Sequence, residues 1–398
     1  MIAKQILRQL FKMAADVPFN VVFWDGSKEL FGAGEPRFTL TIHDEHILDL
    51  FRSDIELGFA DAYMDGKIDV EGDIGEMIAL ATALVHRYES EPEDSLIKRF
   101  GRISAALTPR SLKKQTDDVR RHYDLGNDFY RLWLDESMTY SCAYFKNPDD
   151  TIERAQIQKI DHTLRKVRLK PGETLLDIGS GWGALIMRAG ENYGVRALGI
   201  TLSEQQYGYT CPEIHVRDLE DKVDVRLIDY QTLAKSGQRF DKIVSVGMME
   251  HVGKAHLSEY AQSVKTLLKP GGLALLHFIT SPKEGPFCAW MDRDIFPGAY
   301  LPTVPEALQH FYSQNLRILD VENLRAHYQM TLDRWSERFE AQVPKIREMF
   351  GEPFVRMWRM YLRMSSASFR EGIVEIHQVL VSNGVPTDLP LTRDDLYR

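Results

Sequence analysis

At 398 residues, with 44% hydrophobic and 27% charged residues and a mean hydropathy of −0.30, the chain has the make-up of a soluble globular protein with length for two domains or a little more. A net charge of −9 argues against bulk nucleic-acid binding and leaves only local basic patches. Cys142, Cys211 and Cys288, odd in number and widely spaced, give neither a disulfide framework nor zinc-ligand spacing and fit a reducing cytoplasm, and no apolar run approaches the roughly 18–20 residues that cross a bilayer.

Met1–Lys12 lacks the long apolar centre and cleavage site of a secretion signal. Lys4, Arg8 and Lys12 recur at helical spacing among Ile2, Ile6, Leu7, Leu10 and Phe11. That pattern is an amphipathic helix, which either packs on its own domain or lies on a membrane surface. Phe19–Gly26 reads as a strand running into an Asp-Gly turn, Arg37–Ile42 as a second strand and Asp73–Tyr88 as helical. Together they predict a small α+β N-terminal domain over residues 1–92. Glu89–Ser95 is acidic and holds a proline, whereas Lys98, Arg99, Arg102, Arg110, Lys113 and Lys114 follow with no acid among them. This basic linker, 93–114, is either a solvated connection or a docking site for anionic phospholipid headgroups, where each cation contributes about 1 kcal/mol. The remaining residues, 115–398, read as a second, larger domain.

Two motifs stand out in that domain. Arg121–Tyr130 and Met138–Phe145 make a dense block of His, Tyr, Asp, Asn, Ser and Cys, unsuited to plain core and over-specified for surface. Leu175-Leu-Asp-Ile-Gly-Ser-Gly-Trp-Gly183 is an apolar strand breaking into a glycine turn, which lets backbone approach a ligand. A nucleotide-type turn with a polar lid upstream implies a cofactor enclosed over a buried reaction site. From Gly172 onward, strands at 173–178, 196–202, 223–228, 242–246 and 273–279 alternate with helices at 182–193 and 254–268. Strands at 316–321 and 373–380 complete a doubly wound, mostly parallel α/β sheet. Trp290–Glu322, with Pro297, Pro302 and Pro305, reads as an insertion or cap.

The glycine spacing departs from the dinucleotide fingerprint. The third glycine comes one residue early, and the next strand ends in Gly199-Ile-Thr-Leu-Ser203 with no ribose-binding acid, which disfavours NAD(P). Asp177, closing the first strand, is typical of S-adenosylmethionine sites. With these motifs and with Thr201–Gln206, Val246–Gly253, His277–Ile279 and Ile295–Gly298 in order, the sequence resembles the cyclopropane-fatty-acyl-phospholipid synthase family, within the class I S-adenosylmethionine methyltransferases.

The resemblance implies methylene transfer from S-adenosylmethionine to a cis double bond of phospholipid acyl chains, through a carbocation deprotonated by bound bicarbonate. Carried over by motif, Cys142, Glu250, His277, Ile279 and Tyr328 would form the bicarbonate cage, Ile279 through its backbone. Tyr140 and Ser141 would close over the methionine end, near Asp177, with Gly179, Gly181 and Gly183 beneath. Thr201, Leu202 and Gln206 would meet the ribose side and Tyr230 the adenine. The family also implies a homodimer held peripherally on the inner face of the cytoplasmic membrane. Three departures stand out: Ser180 replaces the usual Cys, Met249 a frequent Phe, and Gly208 with Pro212 predicts a shortened or bent helix after Ser203. Competing expectations are quenching of the cation to a methyl-branched or methylene product, a catalytically dead lipid binder, and a methyltransferase for a soluble metabolite.

Overall fold

The computed structural model describes residues 2–13, 17–50, 55–77, 80, 125–386 and 389–397. The linker and basic run, most of the helix expected at 73–88, both domain boundaries and Arg121–Asp124 of the polar block lie outside those residues. The chain divides into two compact units. One comprises residues 1–107, 288–293 and 332–371; the other comprises 108–287, 294–331 and 372–398.

In the first unit, β1 (Phe19–Val22), β2 (Lys28–Phe31), β3 (Phe38–Ile42) and β4 (Ile68–Gly72) form a sheet of order β2-β1-β3-β4. β1 pairs antiparallel with β2 and parallel with β3, and β3 pairs antiparallel with β4. Burial alternates along β1 and β3, so Phe19, Val21, Phe38 and Leu40 share the inner face, with the Phe19 and Phe38 rings stacked at 5.1 Å. The helix Ile2–Met13 covers this face through Leu7 and Phe11, the latter edge-on to Phe19 at 5.6 Å. Its cations turn to the same unit: Lys4 pairs with Asp25 at 2.6 Å and Arg8 with both oxygens of Glu29. Of the two readings of this helix, packing on its own domain matches these partners. Residues 332–371 join the unit through the helix Glu352–Arg370, whose Arg356 donates to the Ile68 carbonyl and pairs with Asp69, both at 2.7 Å.

The second unit holds β5 (Thr174–Ile178), β6 (Arg196–Thr201), β7 (Val223–Leu227), β8 (Phe240–Val246), β9 (Leu268–Thr280), β10 (Leu316–Asn323) and β11 (Glu375–Asn383) in the order β10-β11-β9-β8-β5-β6-β7. All neighbours are parallel except where β11 runs antiparallel between β9 and β10. Neighbouring residues face opposite layers: Leu176 and Leu276 join one buried cluster with Tyr260 and Phe311, whereas Leu175 and Leu275 join the other with Ile160 and Ile186. Strand order reverses beside β5, between β6 and β8, so a crevice opens beyond the carboxyl ends of these strands.

Two local expectations change. The region read as an insertion contains a regular core helix, Val304–Ser313, with Ala307 and Phe311 fully buried. Thr303 caps it, and Pro305 sits in the first turn, where its missing N–H costs nothing. The helix after Ser203 runs unshortened from Glu204 to Val216 with Pro212 inside it. Gly208 and Pro212 are both exposed, so the carbonyl that Pro212 leaves unbonded faces water. No helix among the described residues is long and apolar enough to cross a membrane.

Candidate active site

The glycine turn follows β5 directly. Gly179, Gly181 and Gly183 all have positive φ, and the Gly179 and Ser180 amides both donate to the Ile200 carbonyl of β6 at 3.0 Å. Gly183 stands at the N-cap of the helix Ala184–Asn192 with φ 84°. Trp182 binds the turn to the segment upstream, its indole donating to Asn127 Oδ1 at 2.8 Å while Tyr130 packs on its ring at 5.0 Å.

That segment is a lid built from local hydrogen bonds. Asp135 accepts from the Ser137 and Thr139 amides, each at 3.0 Å, forming a tight Asx turn. Tyr140 lies within 5.5 Å of Tyr130 and Trp133. The helix Ile152–Lys166 holds the lid from behind. Gln156 donates to the Thr139 and Ser141 carbonyls at 3.2 and 2.8 Å, and the Lys159 ammonium donates to Ser141 Oγ at 2.9 Å. Further along, Ala143 N–H donates to Thr331 Oγ1 and Phe145 N–H to His327 Nδ1, both at 3.0 Å, and Tyr144 is sandwiched between His162 and His327.

Lid and turn enclose a cavity of about 430 Å³, within the range of small-molecule sites. Tyr140, Ser141, Asp177, Gly179, Gly181, Thr201, Leu202, Gln206 and Tyr230 all line it; Gly183 does not, and serves the helix behind the turn. Asp177 is buried, its Oδ1 has no hydrogen-bond partner among the described residues, and desolvation raises its carboxyl to about 7. Thr201 donates to Gln206 Oε1 at 2.7 Å, and Tyr230 opens a short helix capped by Asp229 and packs edge-on to Tyr260.

A second group gathers at the ends of β8 and β9. Glu250, buried in the 3₁₀ turn Met249–His251, accepts the Ile279 amide on Oε1 at 2.7 Å. Its Oε2 has no partner among the described residues, and burial raises the carboxyl to about 7. His277 lies two residues before Ile279 in β9, hence on the same face of the strand. Gln378 of β11 donates to its Nδ1 at 3.3 Å, which places the ring hydrogen on Nε2, an atom also buried without a partner among the described residues. Burial and the nearby Lys159 and Lys166 hold this imidazole neutral. Cys142 is buried behind the lid, its thiol pushed up by desolvation and donating to the Ala143 carbonyl, which makes it a poor nucleophile. Tyr328 occupies the first turn of the helix Arg325–Ala341, next to His327. None of these five residues lines the cavity described above.

Comparison with known proteins gives this arrangement a family. The family model described as mycolic acid cyclopropane synthetase matches residues 110–379, and a domain of unknown function matches residues 6–90. The chain belongs to the mycolic acid cyclopropane synthetase family. It is 37% identical to a probable fatty acid methyltransferase of Pseudomonas putida over 96% of this chain and 97% of that one. It is also 36% identical to the cyclopropane-fatty-acyl-phospholipid synthase of Escherichia coli K12, over 85% of this chain and 86% of the other. The crystal structure of the mycolic acid cyclopropane synthase CmaA1 with SAH and CTAB covers 70% of this chain and 100% of its own at 33% identity and a TM-score of 0.64.

The chain thus has the class I S-adenosylmethionine methyltransferase fold, and the family acts on unsaturated lipid chains by S-adenosylmethionine-dependent cyclopropanation. The residues present fit that cofactor: a partnerless buried carboxyl at Asp177 suits a cationic amino-acid end, and the wall beside Gly181 is open where a side chain would project. Sequence reasoning missed Lys159, Asp229 and His251 on the cavity wall. A signal for Lys159 existed. Gln156, Lys159 and Thr163 share the inward stripe of Ile152, Ala155 and Ile160, and polar residues in a buried stripe need partners.

Proposed function

We propose that this enzyme adds a methylene group from S-adenosylmethionine across the cis double bond of acyl chains in membrane phospholipids, with bicarbonate as the base. The alkene π pair forms the new carbon–carbon bond to the methyl, and the S–C pair stays on sulfur as S-adenosylhomocysteine leaves. The cation left on the acyl chain closes to a three-membered ring when the added methyl loses a proton and its C–H pair forms the last bond. Holding sulfonium and alkene together in a dry site supplies several kcal/mol of the barrier.

One observation supports the base assignment: Glu250 Oε2 and His277 Nε2 are buried polar atoms without partners among the described residues. Bicarbonate, with one O–H and several acceptor oxygens, answers a carboxylate acceptor and an imidazole N–H at once. When bound, it supplies a base too weakly nucleophilic to be alkylated readily by the sulfonium. Glu250, raised to about 7, can take up and release a proton near neutrality. Ile279 contributes the amide that orients Glu250, and His277 donates through Nε2. Cys142 closes the pocket wall, and Tyr328 offers a ring face to the developing charge.

Phospholipid as substrate is supported by coverage. The relatives named for fatty acyl chains align over 85% and 96% of this chain, whereas the mycolic acid synthase structure covers 70%. The enzyme would then work as a homodimer on the inner face of the cytoplasmic membrane, with Lys98–Lys114 contacting anionic headgroups. Turnover of unsaturated phospholipid vesicles should fall at least about tenfold in carbonate-free buffer and recover on adding bicarbonate. Turnover indifferent to bicarbonate overturns the base assignment. The Pseudomonas relative's name favours a second reading, a methyl-branched or methylene product; proton NMR separates the two, because only the cyclopropane lacks alkene signals while showing ring protons at high field.

A further inference from the structure

The helix behind the lid contributes a lysine to the cofactor cavity. Lys159 is 3% exposed, lines the cavity, and has Ser141 Oγ as its one hydrogen-bond acceptor among the described residues. An ammonium carries three donors, so two are unspent. Asp177, on the same wall and equally buried, has no hydrogen-bond partner for Oδ1 among the described residues, and the two groups form no ion pair with each other. Opposite charges buried in one cavity and kept apart are costly unless something bridges them. A zwitterion does so, with its carboxylate on the ammonium and its own ammonium on the carboxylate.

We infer that Lys159 binds the α-carboxylate of the cofactor's methionine end, opposite Asp177, and so selects ligands that carry both an amine and a carboxylate. This rests on S-adenosylmethionine being the cofactor. The contact also explains why the lysine is tied to Ser141: the lid residue that closes over the amino-acid end shares its anchor with the ligand. Asp135 and Cys142 from the lid, Asp177 from β5 and His277 from β9 are the titratable groups around the ammonium, and burial outweighs them, lowering it to about 8.

The test is calorimetric binding to the full chain, wild type and Lys159→Met, with S-adenosylhomocysteine and its decarboxylated analogue, identical but for the carboxylate. Wild type should bind S-adenosylhomocysteine at least about tenfold more tightly than the analogue, and Lys159→Met should lose that advantage while holding the analogue unchanged. Equal losses on both ligands, as a mere lid defect would produce, or no loss on either, overturn the inference. Should Lys159→Met fail to fold, the wild type decides: its preference for the carboxylate must shrink as pH rises through about 8. A constant preference overturns the inference. Failure of wild type to bind either ligand would instead remove the cofactor reading, and this inference with it.

Discussion

Burial raises the carboxyls of both Asp177 and Glu250 to about 7, so each changes charge within the working pH range. A carboxyl raised above its unfolded value favours the folded chain fully below the ordinary carboxylate range. That contribution is lost as pH rises through about 7. A cationic ligand reverses the balance at Asp177, because it binds the ionised form. Affinity for S-adenosylmethionine should therefore decline by about tenfold per unit as pH drops below 7, and Asp177→Asn should bind weakly and lack that decline below pH 7. Equilibrium binding between pH 5.5 and 8 checks this; a flat wild-type profile contradicts it. Glu250 lies off the cavity wall, which separates its effects from binding. Glu250→Gln should lower kcat by about 10²–10⁴-fold with cofactor affinity intact. Full activity in that variant would sink its assigned role.

At the scale of elements, the turn–helix junction depends on glycine for space as well as backbone angle. A Cβ on Gly183 would lie 2.5 Å from Thr210 Cγ2, and Thr210 cannot retreat because its hydroxyl bonds the Gln206 carbonyl at 2.8 Å. Gly183→Ala should cost about 1–3 kcal/mol and lower Tm by several degrees. Gly208→Ala, in an exposed helical position with nothing within 4 Å, should leave Tm unchanged or raise it. Equal effects from the two would contradict the packing account. The same elements show what sequence could disclose. Strands β5, β8 and β9 were legible because apolar runs beside glycine admit few alternatives, and the turn with its Asp177 identified the cofactor class. Pro212 does not shorten its helix and Pro305 sits in the first turn of another, because the cost of proline depends on whether the lost N–H has a partner and where the freed carbonyl points. Lys159 was only half legible: its place on the apolar stripe of its helix can be read from the sequence, but the cavity that this stripe faces cannot. The pairing of Glu250 with the Ile279 amide joins residues far apart in sequence, so resemblance alone could suggest it.

For the whole molecule, the family is one of S-adenosylmethionine-dependent lipid cyclopropanation, and the cofactor cavity and the residues proposed to hold the base all belong to the second unit. Residues 1–107, with 288–293 and 332–371, make up the other unit, and the relatives named for fatty acyl chains align across far more of this chain than the cofactor fold requires. If the basic run at 98–114 holds anionic membrane, neutralising its six cations should weaken binding to anionic vesicles by several kcal/mol, at about 1 kcal/mol each, and leave cofactor affinity unchanged. Vesicle co-sedimentation checks this, and undiminished binding contradicts it. The most direct test of the chemistry uses S-adenosylmethionine with a trideuterated methyl and vesicles of a cis-unsaturated phospholipid, followed by mass spectrometry and NMR of the acyl chains. The account predicts a cyclopropane whose bridging carbon keeps two of its three deuterium atoms, the third having gone to the base. Retention of all three, or an alkene still present in the methylated chain, would contradict it.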